Sequence, residues 1–197
     1  KGIPICSDEI HCDLIYPGYQ HIPLASLSPE IAANTITLMA PSKTYNIAGL
    51  GCSYAVVQNA ELRKKLESAQ QGLVGHVNIL GYTAALAAYR DGQEWLEQML
   101  AYLQGNRDFL MDFIEKRLPE VRIPRIEGTY LAWLDCNALG SDPYQFFLKE
   151  AKVALNDGKT FGTGGDGFVR LNFGCSRFLL AEGLERMAAA WQRQKAQ

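Results

Sequence analysis

Asp8 and Lys43 are the residues of this 197-residue sequence whose types and placement first point to chemistry. Asp8 follows a short apolar run, residues 3–6 before Ser7-Asp8, and Lys43 follows a β-rich run, residues 35–40 before Pro41-Ser42-Lys43. Both runs read as buried strands that lead into polar loops. Open α/β sheets bind ligands beyond the carboxyl ends of such strands. An amine placed there can form a Schiff base, and a carboxylate can keep a heteroaromatic nitrogen protonated; pyridoxal phosphate (PLP) needs both. By spacing alone the plainer alternative, a helix-capping Asp and a solvated Lys, is favoured.

The neighbouring residues change that balance. Ser7-Asp8-Glu9-Ile10-His11, then Ala40-Pro41-Ser42-Lys43-Thr44-Tyr45-Asn46-Ile47-Ala48-Gly49-Leu50, then Phe168-Val169-Arg170-Leu171-Asn172-Phe173-Gly174 stand in that order along the chain. Together they resemble the aspartate-aminotransferase superfamily of fold-type I PLP enzymes, most closely its cystathionine β-lyase-like (C–S lyase) branch. The resemblance runs over essentially the whole chain yet spans only about the C-terminal half of a family member. It implies an α/β fold in which part of a large PLP-binding αβα domain is followed by a small α+β C-terminal domain.

Residue by residue, the resemblance implies Lys43 as the Schiff-base lysine and Asp8 as the partner of the pyridine nitrogen. His11 stands where many relatives have a Tyr on the cofactor's phenolic oxygen, and Ser42 is similar to a serine that contacts the phosphate. Arg170 is similar to the residue that grips the α-carboxylate of a small amino-acid substrate, a task suited to the two parallel N–H groups of guanidinium. Its apolar neighbours make an unpaired Arg costly, which also favours a carboxylate partner. The implied activity is β-elimination from an amino-acid thioether, with release of a thiol, pyruvate and ammonia, by a homodimer in the full-length form. The alternatives are a class I/II aminotransferase, or a non-catalytic fragment or interaction module. Many aminotransferases carry an Arg eight residues after the lysine; Gly51 stands there, which leans towards elimination.

Other signals carry less. Gly162-Thr163-Gly164-Gly165-Asp166-Gly167 fits G-x-G-x-x-G but precedes a strand and no helix, so it reads as a turn or loop and not a dinucleotide site. Cys6, His11 and Cys12 lack a second ligand pair at finger-like spacing, so no metal is expected. His76 reads as a loop histidine, and Trp95, Trp133 and Trp191 as core or interface.

The elements that must position these residues follow from caps and periodicity. Ser28-Pro29-Glu30 starts a short helix, residues 52–58 read as a strand, and Asn59 caps a helix over 60–70. Strand, connection, strand is the α/β rhythm. The Ala- and Gly-rich stretch 78–90 predicts a helix buried on most sides. Three- and four-residue steps over 93–118 predict one long helix, bent at Gly105 and ended by Pro119, with a domain boundary inside it that separates 1–104 from 105–197. Beyond it come strands at 121–126, 130–136 and 168–173, a helix opened by Ser141 or Asp142 with Pro143, and a final helix with Leu180, Leu184, Met187, Ala188 and Trp191 on one face.

Composition bounds all of this. With 19 Lys+Arg against 21 Asp+Glu and no basic cluster, the chain lacks the electrostatic footprint of a nucleic-acid binder. No apolar run reaches the roughly 18–20 residues of a membrane span. Five scattered cysteines argue against a disulfide framework, and no leader is visible, so a reducing, cytoplasmic setting is expected. The sequence opens at Lys1 in a strand-like run, which reads as an incomplete chain whose isolated form would be inactive.

Overall fold

The computed structural model describes residues 3–196 and divides into two compact units, Lys1–Leu100 and Ala101–Gln197. The first unit holds a three-stranded sheet of β1 (Ile5–Asp8), β2 (Thr35–Met39) and β3 (Tyr54–Val56), in that order. β1 and β2 are parallel, in register from Ile5 opposite Thr35 to Asp8 opposite Leu38, and β3 runs antiparallel to β2. A parallel pair needs a crossover. The segment between the strands supplies it and includes α1 (Pro29–Ala33), whose cap Ser28 accepts the Ile31 N–H at 3.2 Å. The sequence-predicted loop after β2 is a single helical turn, α2 (Pro41–Thr44), with Pro41 at its first position, where a missing N–H is harmless.

Two capped helices follow, α3 (Ala60–Gln70) after Asn59 and α4 (Ile79–Asp91) after Asn78. Here one expectation fails. Ile79, Leu80, Tyr82 and Leu86 of α4 are exposed, and only Gly81 and Ala85 are buried. Small residues mark one narrow stripe of close packing; they do not require cover on every side.

α5 (Gln93–Arg117) runs unbroken through Gly105, and the division between the units falls within it. The second unit carries an antiparallel sheet in the order β4 (Leu131–Asp135), β6 (Phe168–Asn172), β5 (Asn156–Asp157). Alternation buries Ala132, Leu134, Val169 and Leu171 on one face. α6 (Pro143–Phe146), capped by Asp142, continues into a π-helical turn over Phe147–Ala151, and Phe147 stacks on Trp191 of α7 (Arg177–Lys195). The expected inner face of α7, from Leu180 to Trp191, is buried. The strand expected at 121–126 shrinks to one bridge between Arg122 and Asp135, because Pro124 has no N–H to extend a ladder. Among the described residues no helix is long and apolar enough to cross a membrane.

Candidate functional site

Parallel register places Asp8 and Lys43 at neighbouring strand ends of the first unit. Asp8 is itself the last residue of β1, one step earlier than the loop position expected from sequence, and its Oδ1 accepts the Ile10 N–H at 3.2 Å. This Asx turn bends the chain away from the strand and leaves the carboxylate exposed. Lys43 lies in α2 and is also exposed; among the described residues it makes no ion pair or hydrogen bond. Ser42 is half-buried, and its carbonyl accepts the Ile47 N–H at 3.2 Å. His11 is half-buried on the turn that follows Asp8.

What holds these residues was not visible from the motifs. Glu9, unlike the exposed Asp8, is buried, and its carboxylate accepts Ser7 Oγ and the Leu24 N–H at 3.0 Å and meets His21 Nε2 at 2.8 Å. Burial alone would raise its pKa, but the bonds from His21, Leu24 and Ser7 outweigh it and hold the carboxyl below its ordinary value. Thr44, fully buried beside Lys43, donates its Oγ1 to Asp13 Oδ2 at 2.8 Å. Tyr45 packs edge-on to Tyr89 at 5.8 Å and against Trp95 at 6.2 Å between ring centroids. Cys12 is no nucleophile at neutral pH, since burial and the Asp13 charge push its thiol up to about 11. Asp13 stands on the turn after β1, and Thr44 directly follows the lysine, yet neither position signals a bond.

Arg170 belongs to the second unit, on β6, opposite Trp133 of β4 and Asn156 of β5. Instead of a carboxylate partner, it has Asn156 Oδ1, which accepts from Nε at 3.3 Å and Nη2 at 3.2 Å, while Phe161 lies 4.5 Å from the guanidinium carbon. Both partners are neutral, so the positive charge is oriented without being neutralised. Trp133 extends the aromatic wall, edge-on to Phe161 and stacked on Phe168. The glycine-rich stretch is a turn leading into β6: Gly162, Gly164 and Gly167 have positive φ, and Gly165 lies against the Gly158 backbone.

The donor set of the first unit is chemically suited to PLP. It offers an exposed amine with no competing carboxylate, an exposed carboxylate at the adjacent strand end, a hydroxyl and an imidazole. It offers no Arg at position 51, where the backbone is left-handed with φ of 59°, a conformation that favours glycine. Beside Asp8 a cavity of about 600 Å³ opens, lined also by Ile10, Ala40, Ser53 and His76. His11, Ser42 and Lys43 do not line it.

Residues 1–187 match the family model described as aminotransferase class I and II. Cystathionine beta-lyase PatB of Bacillus subtilis (strain 168) is 41% identical over 193 residues, which cover 96% of this chain and 50% of that protein. A PLP-bound putative aminotransferase from Clostridium difficile 630 superposes with a TM-score of 0.91 at 43% identity, covering 95% of this chain and 50% of that one. Cystalysin from Treponema denticola, whose structure contains a pyridoxal 5′-phosphate cofactor, matches with a TM-score of 0.91 at 37% identity, over 96% of this chain and 49% of its own. The chain therefore shares the α/β fold of these structures and spans about half the length of the relatives it matches.

Proposed function

The chain belongs to the aminotransferase class I and II family, and from that premise we propose that its protein is a PLP-dependent carbon–sulfur lyase of the cystathionine β-lyase kind. The observation that carries the reading is an exposed lysine without an ion-pair partner among the described residues, one turn beyond a parallel strand whose neighbour ends in an exposed aspartate. PLP, when bound, supplies an aldehyde for the substrate amine and a ring that accepts the electron pair of the α-carbon.

Lys43 Nζ would hold that aldehyde until substrate arrives, then as a free amine take the α-proton. Asp8 would keep the proton on the ring nitrogen, where a fixed carboxylate favours the charged form. Ser42 would contact the phosphate and His11 the phenolic oxygen. Arg170 would grip the substrate α-carboxylate with N–H groups that Asn156 leaves unused, which fixes how the amino acid is presented. Overall, thioether and one water give a thiol, pyruvate and ammonia. Residues 1–104 then form the C-terminal part of the cofactor domain and 105–197 the small domain of a cytoplasmic homodimer.

A second reading, transamination, is favoured by the name of the matching family and by the putative aminotransferase from Clostridium difficile 630. Gly51 and the likeness to PatB favour elimination. The test is the protein as its gene encodes it, loaded with PLP and given cystathionine without a keto acid. Pyruvate release that disappears in Lys43→Ala supports the lyase. Turnover only with a keto-acid acceptor establishes the aminotransferase, and a borohydride-reducible adduct at wild-type level in Lys43→Ala shows that another lysine does the chemistry.

A further inference from the structure

We infer that Asp13 and Thr44 are positioning residues for Lys43, acting through the turn that carries it. The inference rests on the reading of Lys43 as the Schiff-base lysine. α2 is only four residues long, far below the length at which a helix is stable by itself. Its own closure consists of the Tyr45 N–H on the Pro41 carbonyl at 2.9 Å, followed by the Ile47 N–H on the Ser42 carbonyl at 3.2 Å. A lysine on such a turn swings with the backbone, and a displacement of about 1 Å at a reacting atom can lower a rate roughly a hundredfold.

Two ties beyond the turn restrain it. Thr44 is fully buried, and its only hydrogen-bonding side-chain atom points at Asp13 Oδ2, 2.8 Å away and 31 residues earlier in the chain. Asp13 lies on the turn that leaves β1 directly after Asp8 and also carries His11, so this bond fixes the lysine's turn to the end of the strand that carries the proposed ring-nitrogen partner. On the next residue, Tyr45 is wedged against Tyr89 and Trp95, and a Cβ at Gly92 would come within 2.6 Å of its ring. Burial raises the Tyr45 hydroxyl's pKa, and the nearby Asp13 charge adds to it. Lys43 thus sits immediately before two anchored residues while its own side chain stays free. That is the arrangement of a nucleophile whose backbone is fixed and whose amine must change partners.

The bond also suits a clean test. Asp13 is exposed, so its carboxylate is rehydrated when Thr44 is changed, and Thr44→Val keeps the buried shape while it removes the donor. In the protein as its gene encodes it, PLP is titrated, the adduct is trapped with borohydride, and the labelled lysine is located by peptide mapping; thermal unfolding is followed in parallel. Thr44→Val should raise the PLP concentration for half-maximal trapping on Lys43 about tenfold, the effect of losing one hydrogen bond to a charged group. Thr44→Ser, which restores the donor, should return to wild type, and the melting midpoints should stay within a few degrees. Should Thr44→Val lose its cooperative melt, Asp13→Ala reads the same bond from its exposed side. Wild-type trapping in the folded variant overturns the inference. Wild-type protein that labels a different lysine overturns both the assignment of Lys43 and this inference, and so separates the two failures.

Discussion

The guanidinium carbon of Arg170 lies 4.5 Å from the centroid of the Phe161 ring. Because Phe161 covers one face and Asn156 takes two N–H groups, the remaining donors have a set direction before any ligand arrives. A lysine at this position would present a point charge on a flexible stem, with no fork to match a carboxylate and a weaker stack on the ring. Arg170→Lys is expected to raise KM for amino-acid substrates about 10- to 100-fold, the value of a charge-assisted bond or two, while PLP affinity stays unchanged. Steady-state kinetics alongside a PLP titration in the gene-encoded protein separate the two. Equal losses would assign Arg170 to the fold.

Features set by short-range chemistry were legible in the sequence. β2, the caps Ser28, Asn59 and Asp142, and the inner face of α7 each depend on a few adjacent residues, and each stands where the sequence predicts. Features set across long separations were not. The Asp13–Thr44 bond joins residues 31 apart, and Asn106 reaches Cys175 across 69. Nothing in the types Asn, Thr or Phe at positions 106, 44 and 161 distinguishes them from ordinary helix or loop residues. The exposure of α4 is not legible for a related reason, since composition records how closely a stripe can pack and not how many neighbours arrive. Asp8 and Lys43 emerged because strand ends are a local signal and their motif wording is specific, whereas the neutral partners of Arg170 come from β5 and from the turn before Gly162, which no pattern marks.

Gly165 and Gly183, both in the second unit, should respond to alanine with opposite signs. A Cβ on Gly165 would collide with the Gly158 carbonyl oxygen, lie 2.6 Å from its carbon and 3.2 Å from Lys159 N, all backbone atoms that cannot swing aside. Gly165→Ala is expected to lower the unfolding free energy by about 1–3 kcal/mol, as for other overpacked sites. Gly183 lies inside α7 with nothing within 4 Å of a built Cβ. Gly183→Ala should add roughly 0.5–1 kcal/mol through the helix preference for alanine. Urea unfolding of both variants checks the pair, and a neutral Gly165→Ala would show that the turn before β6 relaxes freely.

Asn106 is fully buried within α5, and every polar atom of its side chain is engaged. Its Nδ2 donates to the Phe173 carbonyl at 3.0 Å and the Cys175 carbonyl at 2.8 Å, and its Oδ1 accepts Arg177 Nε at 2.8 Å. Asn106→Ala strips two carbonyls and one guanidinium N–H of their partner at once. The expected loss is about 2–4 kcal/mol, because buried groups left unsatisfied each cost about 1–3 kcal/mol and some regain water. The midpoint of urea unfolding should fall with little change in slope. Asn106→Asp should be no rescue, since a carboxylate cannot donate to the two carbonyls.

Glu9 gives the fold an acid-sensitive contribution whose sign follows from its bonds. Burial pushes the carboxyl up, but His21, the Leu24 N–H and Ser7 pull it further down, so its pKa in the folded chain lies below the ordinary 4.5. A folded-state pKa below the unfolded one means that the unfolded chain binds the proton first. The stabilisation is therefore complete above the unfolded value, and it is lost as pH falls from about 4.5 through the depressed folded value. Glu9→Gln keeps the size and one acceptor oxygen but has no proton to gain in this range. At pH 7 wild type should be the more stable of the two, and the difference in unfolding free energy should shrink steadily once the pH drops below the unfolded value. Urea unfolding of both proteins in a series of buffers from neutral to acidic pH measures that difference directly. A gap that stays constant down to acid pH would mean that Glu9 is already protonated in the folded chain, and that the cluster with His21, Leu24 and Ser7 is held together by neutral hydrogen bonds.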